Sequence, residues 1–435
     1  MKKYILFLLA VVISTTSFAF KNTPDKFLVS ATLVKKHTKE SISAIWKKNH
    51  IPKMALPVRN DVDIFEIIYK APWIDSTTWI NCSGIVYIPK FKKNKAVPVV
   101  MFGHGTEIRK GRTITDDDAQ QGITLGFAAD GYLALYPDYY GIGKGEGNHL
   151  YQHAWSEGMA FVYMLKAVEE LKASQNIETN GQLFLTGYSQ GGHASAAAQK
   201  YFEELNDPRF KVTASSPMSG AYDMTGEQAK YMFEVYPKPF YLPYLIISYQ
   251  EAYKIIDTDN VYSVFRAPYD TLLPDFFSEN RKMGYADLDK IMPPIPSEVA
   301  RDTFIQQYLH DDNFAFKKRL EENNLTEWVP QAPMQLCYCK GDREVNYKNS
   351  EVAYTRMTLL GAKHIKLLNL SDKLDHNTCA AFAVLSTKFF FDRYKKHGKN
   401  PKMKDVPPFI KSVMNIIKKQ EEKKYLETGN DQAYH

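Results

Sequence analysis

The chain has 435 residues, of which 44% are hydrophobic and 24% are charged, and it contains only 4 cysteines. This composition excludes disordered, collagen-like and disulfide-scaffold proteins. The formal charge of +6 comes from the two ends: residues 1–19 carry +2, and residues 395–435 carry +5, from ten Lys against five acids. The other 375 residues therefore sum to −1, so the charge gives no support to a nucleic-acid partner.

The first 19 residues have the three parts of a secretory signal peptide. Lys2 and Lys3 form a positive start, residues 4–13 are apolar, and residues 17–19 (Ser-Phe-Ala) form a small-x-small cleavage site. We therefore expect a secreted or periplasmic protein. No later stretch reaches eighteen consecutive apolar residues, so we expect no membrane span in the mature chain.

Short β-branched runs alternate with longer helical patterns, which indicates an α/β fold with a mostly parallel central sheet flanked by helices. Strands are predicted at 64–69, 83–87, 99–102, 132–136, 183–186, 212–214, 334–338 and 364–370. Helices are predicted at 156–171 and 379–394. We assign residues 20–220 and 331–397 to this core.

Two segments depart from the alternation. Residues 221–330 are rich in aromatic residues and proline without strand patterning, and we predict a helical cap insertion above the sheet; the alternative is additional core without ligand contact. Residues 398–435 combine a short amphipathic stretch with a Lys/Glu-rich end. We predict a docking helix followed by a solvated basic tail, with contact to a membrane surface as an alternative.

The sequence Gly187-Tyr188-Ser189-Gln190-Gly191-Gly192 directly follows a predicted strand and precedes a helix-forming run of small residues. A serine between two glycines fits a tight strand-to-helix turn, which exposes the hydroxyl group at the edge of the sheet. We predict Ser189 as a catalytic nucleophile.

A serine nucleophile needs a base, and the base needs an orienting acid. Asp342 follows the strand predicted at 334–338, and His376 follows the strand predicted at 364–370. We predict Asp342 and His376 as acid and base, with Glu344 as an alternative acid. Asp375 is adjacent to His376 along the chain and cannot easily face its imidazole, so we reject it as the orienting acid.

Acyl transfer also needs N–H donors for the oxyanion. The strand at 99–102 ends in Gly103-His104-Gly105-Thr106, which matches the loop that supplies one such donor. We assign this donor to the backbone of Thr106, with Gly105 as the next candidate, and the second donor to the backbone of Gln190.

These motifs resemble the α/β-hydrolase superfamily and, within it, secretory-lipase-type and related exported esterases. The resemblance rests on GHGT at 103–106, YPDYYGIG at 136–143, GYSQGG at 187–192, the Asp342 loop and LDHNTC at 374–379. It covers residues 60–220 and 330–395 and implies a serine hydrolase that acts through an acyl-enzyme. Two departures are Asn346, where the acid loop usually has proline, and the segment 221–330, which matches no motif.

Export allows disulfides to persist among the four cysteines, with three possible pairings. Cys379 lies about one helical turn after His376, and Cys337 and Cys339 share one face of the strand that leads to Asp342. We therefore hypothesise a disulfide from Cys379 to Cys337 or Cys339; the fourth cysteine is Cys82.

No motif predicts a cofactor or a metal. The Gly-rich stretch 141–147 lacks the Lys-Ser/Thr pair of a phosphate loop, and His149 and His153 lack the glutamate of a zinc hydrolase. The sequence thus predicts an exported serine esterase or lipase acting on an apolar or aromatic small-molecule ester. A peptidase or aminopeptidase on the same fold is the first alternative, and a non-catalytic binding protein is the second.

Overall fold

The computed structural model describes residues 21–49, 51, 56–93, 95–111, 114–277 and 285–397, together with residues 412, 415, 416, 418–420 and 423. The predicted signal peptide lies outside the described residues, and so does most of the predicted tail after residue 397. Among the described helices, none is long and apolar enough to cross a membrane.

A central sheet organises the part of the chain that the structure describes. Its strands are β1 (Leu28–His37), β2 (Asp61–Pro72), β3 (Trp79–Lys90), β4 (Val97–Gly103), β5 (Leu133–Pro137), β6 (Thr179–Tyr188), β7 (Val212–Met218), β8 (Met334–Tyr338) and β9 (Ile365–Asn369). The strand order is β1-β2-β3-β5-β4-β6-β7-β8-β9. The pairs β1–β2, β2–β3 and β3–β5 are antiparallel. The remaining pairs, β5–β4, β4–β6, β6–β7, β7–β8 and β8–β9, are parallel. The predicted mostly parallel sheet is confirmed.

Helices cover both faces of this sheet. They are α1 (Lys39–Lys48), α2 (Ala119–Ala129), α3 (Ala154–Gln175), α4 (Gln190–Leu205), α5 (Tyr241–Tyr253), α6 (Tyr269–Phe276), α7 (Tyr285–Ile291), α8 (Asp302–His310), α9 (Ala315–Glu322), α10 (Lys348–Leu359) and α11 (His376–His397). Apolar residues of α3 and α4 pack on one face, and those of α1, α2 and α11 pack on the other. Strand β4 is buried along its whole length, as its unbroken apolar run predicts.

The eight predicted strands correspond to β2–β9, and the two predicted helices correspond to α3 and α11. Strand β1 and helices α1 and α2 were not predicted. β1 lies at the edge of the sheet, and most of its side chains are partly or fully exposed, including Val29, Leu33 and Val34. Such a strand lacks the alternation of buried and exposed residues that identifies a strand in a sequence.

We call residues 221–330 the cap segment. In its described part, helices α5–α9 form without any strand, and their apolar and aromatic residues build a cluster of their own. Its tyrosine hydroxyls reach the loops of the sheet: Tyr244 donates to the carbonyl oxygen of Glu107 (3.0 Å), and Tyr249 donates to that of Gln152 (3.1 Å). Because these loops follow β4 and β5, the cap segment lies over the carboxyl-terminal edge of the parallel strands.

Candidate active site

Ser189 lies in a sharp turn between β6 and α4. Its φ of 61° and ψ of −123° fall outside the regions that residues with a side chain usually adopt. Its N–H donates to the carbonyl oxygen of Met218 (3.0 Å). The glycines make the turn possible, since a Cβ on Gly191 would lie 1.9 Å from the carbonyl oxygen of Gly103, and one on Gly187 would lie 2.2 Å from that of Gly191. The turn therefore has the geometry that the glycine spacing predicts, and it leaves the serine partly exposed.

His376 and Asp342 form a buried pair at the same edge of the sheet. Asp342 follows β8, His376 is the first residue of α11, and Oδ2 of Asp342 lies 2.7 Å from Nδ1 of His376. Burial disfavours the charged imidazole, but the charge of Asp342 and the hydrogen bond to it outweigh burial and raise the pKa of His376 to about 9. Since Nδ1 is held by Asp342, Nε2 is the nitrogen that can exchange a proton with a substrate or a nucleophile.

Two further acids, Glu344 and Asp375, act on His376 through their charges, whereas Asp342 also forms a hydrogen bond to the imidazole. The backbone carbonyl of Glu344 accepts a hydrogen bond from Tyr236, and burial raises the pKa of the Glu344 carboxyl group. Oδ1 of Asp375 accepts the N–H of Thr378 (2.7 Å) at the start of α11. The acid that is hydrogen-bonded to the imidazole of His376 is Asp342.

Tyr188 connects the serine turn to the histidine, and sequence reasoning did not single it out. Its hydroxyl donates to the carbonyl oxygen of His376, and the two ring centroids are 4.8 Å apart. Because Tyr188 directly precedes Ser189, this contact brings Ser189, Asp342 and His376 to one edge of the sheet. An aromatic residue inside the turn motif was the only signal in the sequence, and such a residue is more often simply buried core.

The three predicted oxyanion donors lie in different surroundings. Gln190 is the first residue of α4, so its N–H has no partner within the helix. The hydroxyl of Thr106 lies 3.2 Å from that of Tyr151, which lines the cavity next to Ser189. The N–H of Gly105 donates to Oε1 of Gln120 (2.6 Å). Gly105 is therefore the weakest of the three candidates.

Sequence reasoning also missed a group of buried polar side chains at the start of α4. One carboxylate oxygen of Glu157 lies 2.6 Å from Nδ1 of His193, and the other accepts a hydrogen bond from Nε2 of Gln190 (2.8 Å). All three residues are completely buried. The available signal was Glu157 itself, an acid inside the apolar helical stretch that became α3.

The side chain of Ser189 borders a small cavity of about 60 Å³, which we call the serine cavity. Its lining combines residues of the cap segment with residues of the loops above the sheet, among them Tyr151, Met224, Tyr231, Tyr241, Leu245 and Glu344. Apart from Glu344, these side chains are apolar or aromatic, which suits an apolar or aromatic part of a ligand.

A second cavity, of about 620 Å³, meets another face of α5, and we call it the polar cavity. Its described lining mixes apolar and polar side chains and includes five charged residues, which are Lys110, Glu251, Lys254, Asp257 and Asp259. Ser189, Asp342 and His376 are not among the described residues that line it. Its size therefore does not make it the site of the predicted chemistry.

A disulfide joins Cys339 to Cys379, with 6.1 Å between the Cα atoms. This confirms the hypothesis that Cys379 pairs with one of the two cysteines next to Asp342, and it identifies the partner as Cys339. Cys82 and Cys337 are buried and free. The bond links the start of α11, which carries His376, to the loop that carries Asp342.

The two histidines weighed as metal ligands make other contacts. Nδ1 of His149 lies 2.9 Å from the carbonyl oxygen of Tyr140, and Nδ1 of His153 lies 2.9 Å from the hydroxyl of Ser156. Within the described ranges, no three His, Cys, Asp or Glu side chains form a group that could hold a metal ion.

Comparison with known proteins adds an independent line of evidence. Residues 119–206, which include the Ser189 turn, match the secretory lipase family. A protein from Legionella pneumophila proposed to be a hydrolase superimposes with a TM-score of 0.78 at 24% identity, covering 86% of this chain and 100% of that one. The rice cell wall degrading esterase LipA from Xanthomonas oryzae gives a TM-score of 0.73 at 25% identity, with 84% and 96% covered. The chain resembles the secretory lipases and has the α/β-hydrolase fold.

A more distant α/β-hydrolase structure agrees in fold. Candida antarctica lipase A in its closed state superimposes with a TM-score of 0.64 at 16% identity, covering 87% of this chain and 83% of that one. No curated protein sequence matches the chain. Taken together, the similarities support a lipase- or esterase-like hydrolase.

Proposed function

We propose that the protein is an exported serine hydrolase that cleaves carboxylic esters through an acyl-enzyme on Ser189. The observation that carries the proposal is the buried pair of His376 and Asp342, 2.7 Å apart, beside a strained serine turn. Nucleophile, orienting acid and base then follow one another in the chain order of this fold.

In the first half of the reaction, Nε2 of His376 takes the proton of the Ser189 hydroxyl while Oγ attacks the ester carbonyl carbon. The tetrahedral intermediate places a negative charge on the former carbonyl oxygen, and the backbone N–H groups of Gln190 and Thr106 bind it. His376 then gives its proton to the leaving alcohol. Asp342 keeps Nδ1 protonated, so that Nε2 is the basic nitrogen throughout.

In the second half, water attacks the acyl-enzyme and His376 again acts first as base and then as acid. The apolar and aromatic lining of the serine cavity supports an apolar or aromatic acyl or alcohol group. The esterase and lipase activities named for the similar structures support an ester as the substrate class.

A peptidase on the same fold is a second candidate, because one observation favours it. The serine cavity is bordered by Glu344, and a carboxyl group at that place could hold the amino group of a peptide substrate. The rest of the lining is mostly apolar, so we place this function second.

A substrate panel separates the two functions. The purified mature protein is assayed on p-nitrophenyl esters of graded acyl length and on aminoacyl p-nitroanilides, with Ser189→Ala as the control. We expect ester cleavage that is lost in Ser189→Ala. Anilide cleavage faster than ester cleavage would replace the esterase by the peptidase, and ester cleavage that survives in Ser189→Ala would overturn the serine mechanism.

A further inference from the structure

Gln190 is the first residue of helix α4, and the NH₂ group of its side chain has two hydrogen-bond partners. Gln190 is completely buried, and its Nε2 lies 2.8 Å from Oε1 of Glu157 and 2.9 Å from Nε2 of His149. A carboxylate only accepts hydrogen bonds, so the amide group of Gln190 must turn its nitrogen toward Glu157. The hydrogen bonds therefore determine the orientation of this amide.

The protonation of His149 follows from its other contact. Nδ1 of His149 lies 2.9 Å from the carbonyl oxygen of Tyr140, which can only accept, so Nδ1 carries the hydrogen and Nε2 accepts from Gln190. Burial lowers the pKa of His149 to about 4, against the opposing effect of these hydrogen bonds. The ring is therefore neutral near pH 7 and remains an acceptor for Gln190.

Glu157 is itself held in place by His193. Both side chains are completely buried, 2.6 Å apart, and Nε2 of His193 lies 3.2 Å from the carbonyl oxygen of Asn323. Both ring nitrogens of His193 thus lie beside oxygen acceptors, and the ring is held between Glu157 and Asn323. Gln190 therefore donates to a carboxyl group on α3 that has a second, buried partner on α4.

We propose that Glu157 and His149 position the backbone N–H of Gln190 for oxyanion binding by holding the Gln190 side chain. This inference rests on the proposed acyl-enzyme mechanism. The first N–H of a helix has no intrahelical bond to orient it, and the preceding residue, Ser189, has an unusual backbone conformation. An oxyanion donor nevertheless has to be placed within about 0.5 Å of its productive position. Holding the side chain of the same residue supplies that restraint.

The decisive variant is Gln190→Met, which keeps the backbone N–H and the length of the side chain but removes the amide. We expect kcat on a p-nitrophenyl ester to fall on the order of 10-fold with KM changed less than about 3-fold. The fall is smaller than the 10²–10³-fold cost of removing a whole oxyanion donor, because the donor is displaced and not lost. Phenylboronic acid, which forms a tetrahedral adduct on the serine, should bind more weakly by the same factor as kcat/KM.

Gln199 provides a matched control on the same helix. It is also completely buried, and its Nε2 donates to Glu203 (2.8 Å) and to the carbonyl oxygen of Ala332 (3.2 Å). Gln199→Met should lower the melting temperature as Gln190→Met does, but it should leave kcat and boronate affinity at their wild-type values.

Glu157→Gln is the second variant and decides the question alone if Gln190→Met does not fold. It keeps the shape of the side chain and removes its charge, and we expect kcat to fall several-fold with KM unchanged. Folded variants that keep wild-type kcat and boronate affinity while losing thermal stability would overturn the inference and leave the network a structural role. Ester cleavage that survives in Ser189→Ala would instead overturn the proposed function itself.

Discussion

The serine cavity and the polar cavity meet different faces of helix α5, and they differ in size and in chemistry. The first has about 60 Å³, is bordered by Ser189 and has a mostly apolar lining. The second has about 620 Å³ and a mixed lining with charged residues such as Glu251 and Lys254, and no residue of the predicted triad is among its described lining. The larger cavity is thus the one whose described lining contains no residue of the predicted triad.

The difference reflects where the sheet ends. Parallel strands bring their carboxyl ends to one edge, and the loops after β4, β6 and β8 there carry Thr106, Ser189 and Asp342. The serine cavity lies above that edge, whereas the polar cavity is bounded largely by α5 and the residues just after it. A candidate site in this molecule is therefore better identified by convergent side chains than by volume.

The strongest test of this contrast is to remove one residue from each cavity. Ser189→Ala should lower the rate of ester hydrolysis by at least about 10⁴-fold, because the nucleophile is lost. Glu251→Ala, in the polar cavity, should keep kcat/KM within about twofold of wild type. Steady-state kinetics on one p-nitrophenyl ester measure both variants. A comparable loss in Glu251→Ala would mean that the polar cavity takes part in the reaction and would contradict the assignment to the serine cavity.

The acid that is hydrogen-bonded to His376 gives the next largest effect. Asp342→Asn should lower kcat by about 10³–10⁴-fold, because the imidazole loses the group that sets its tautomer. Glu344→Gln, a change of the same kind at the alternative acid, should cost less than about 10-fold. Equal losses in the two variants would mean that Asp342 has no special role.

The pH profile tests the same pair through the pKa of His376. Only the neutral imidazole can take the serine proton, so kcat/KM should rise with pH to an inflection near 9, the value to which Asp342 raises the pKa of His376. In Asp342→Asn the effect of burial dominates, and the inflection should move to lower pH. An inflection that stays in place would show that another group controls the rate.

The disulfide between Cys339 and Cys379 should affect stability more than rate. Its loop spans a sequence separation of 40 residues, so the double variant Cys339→Ser, Cys379→Ser should lower the free energy of unfolding by about 3–4 kcal/mol. Urea denaturation measures the change, and reduced wild-type protein should lose the same amount. Unchanged stability in both samples would mean that the bond does not form in the protein.

The smallest expected effect concerns substrate preference. Leu245→Ala enlarges the serine cavity, and we expect the ratio of kcat/KM for long over short acyl chains to rise by up to about 10-fold. Ile247→Ala, on the same helix but in the polar cavity, should leave that ratio unchanged. A shift in both variants would indicate a general loosening of α5 and not a pocket for the acyl group.

Much of the fold and the position of the candidate site could be predicted because they depend on local patterns. Buried strands such as β4 are continuous apolar runs, and the serine turn requires glycine at two positions where a Cβ would meet backbone oxygen. Edge strand β1 escaped prediction because it buries little. The contact of Gln190 with Glu157 also escaped prediction, since no local pattern links residues that are 33 positions apart.

The sequence by itself determined the α/β class, the tight serine turn and the chain order of the predicted residues Ser189, Asp342 and His376, because each rests on residue spacing and on the period of strands and helices. Only the tertiary structure decided that Asp342 and not Glu344 contacts His376, and that Cys339 and not Cys337 pairs with Cys379. Both choices lie between residues two positions apart, which have the same spacing signal. The packing of α11 beside β8 decides which member of each pair comes within contact distance of His376 or Cys379.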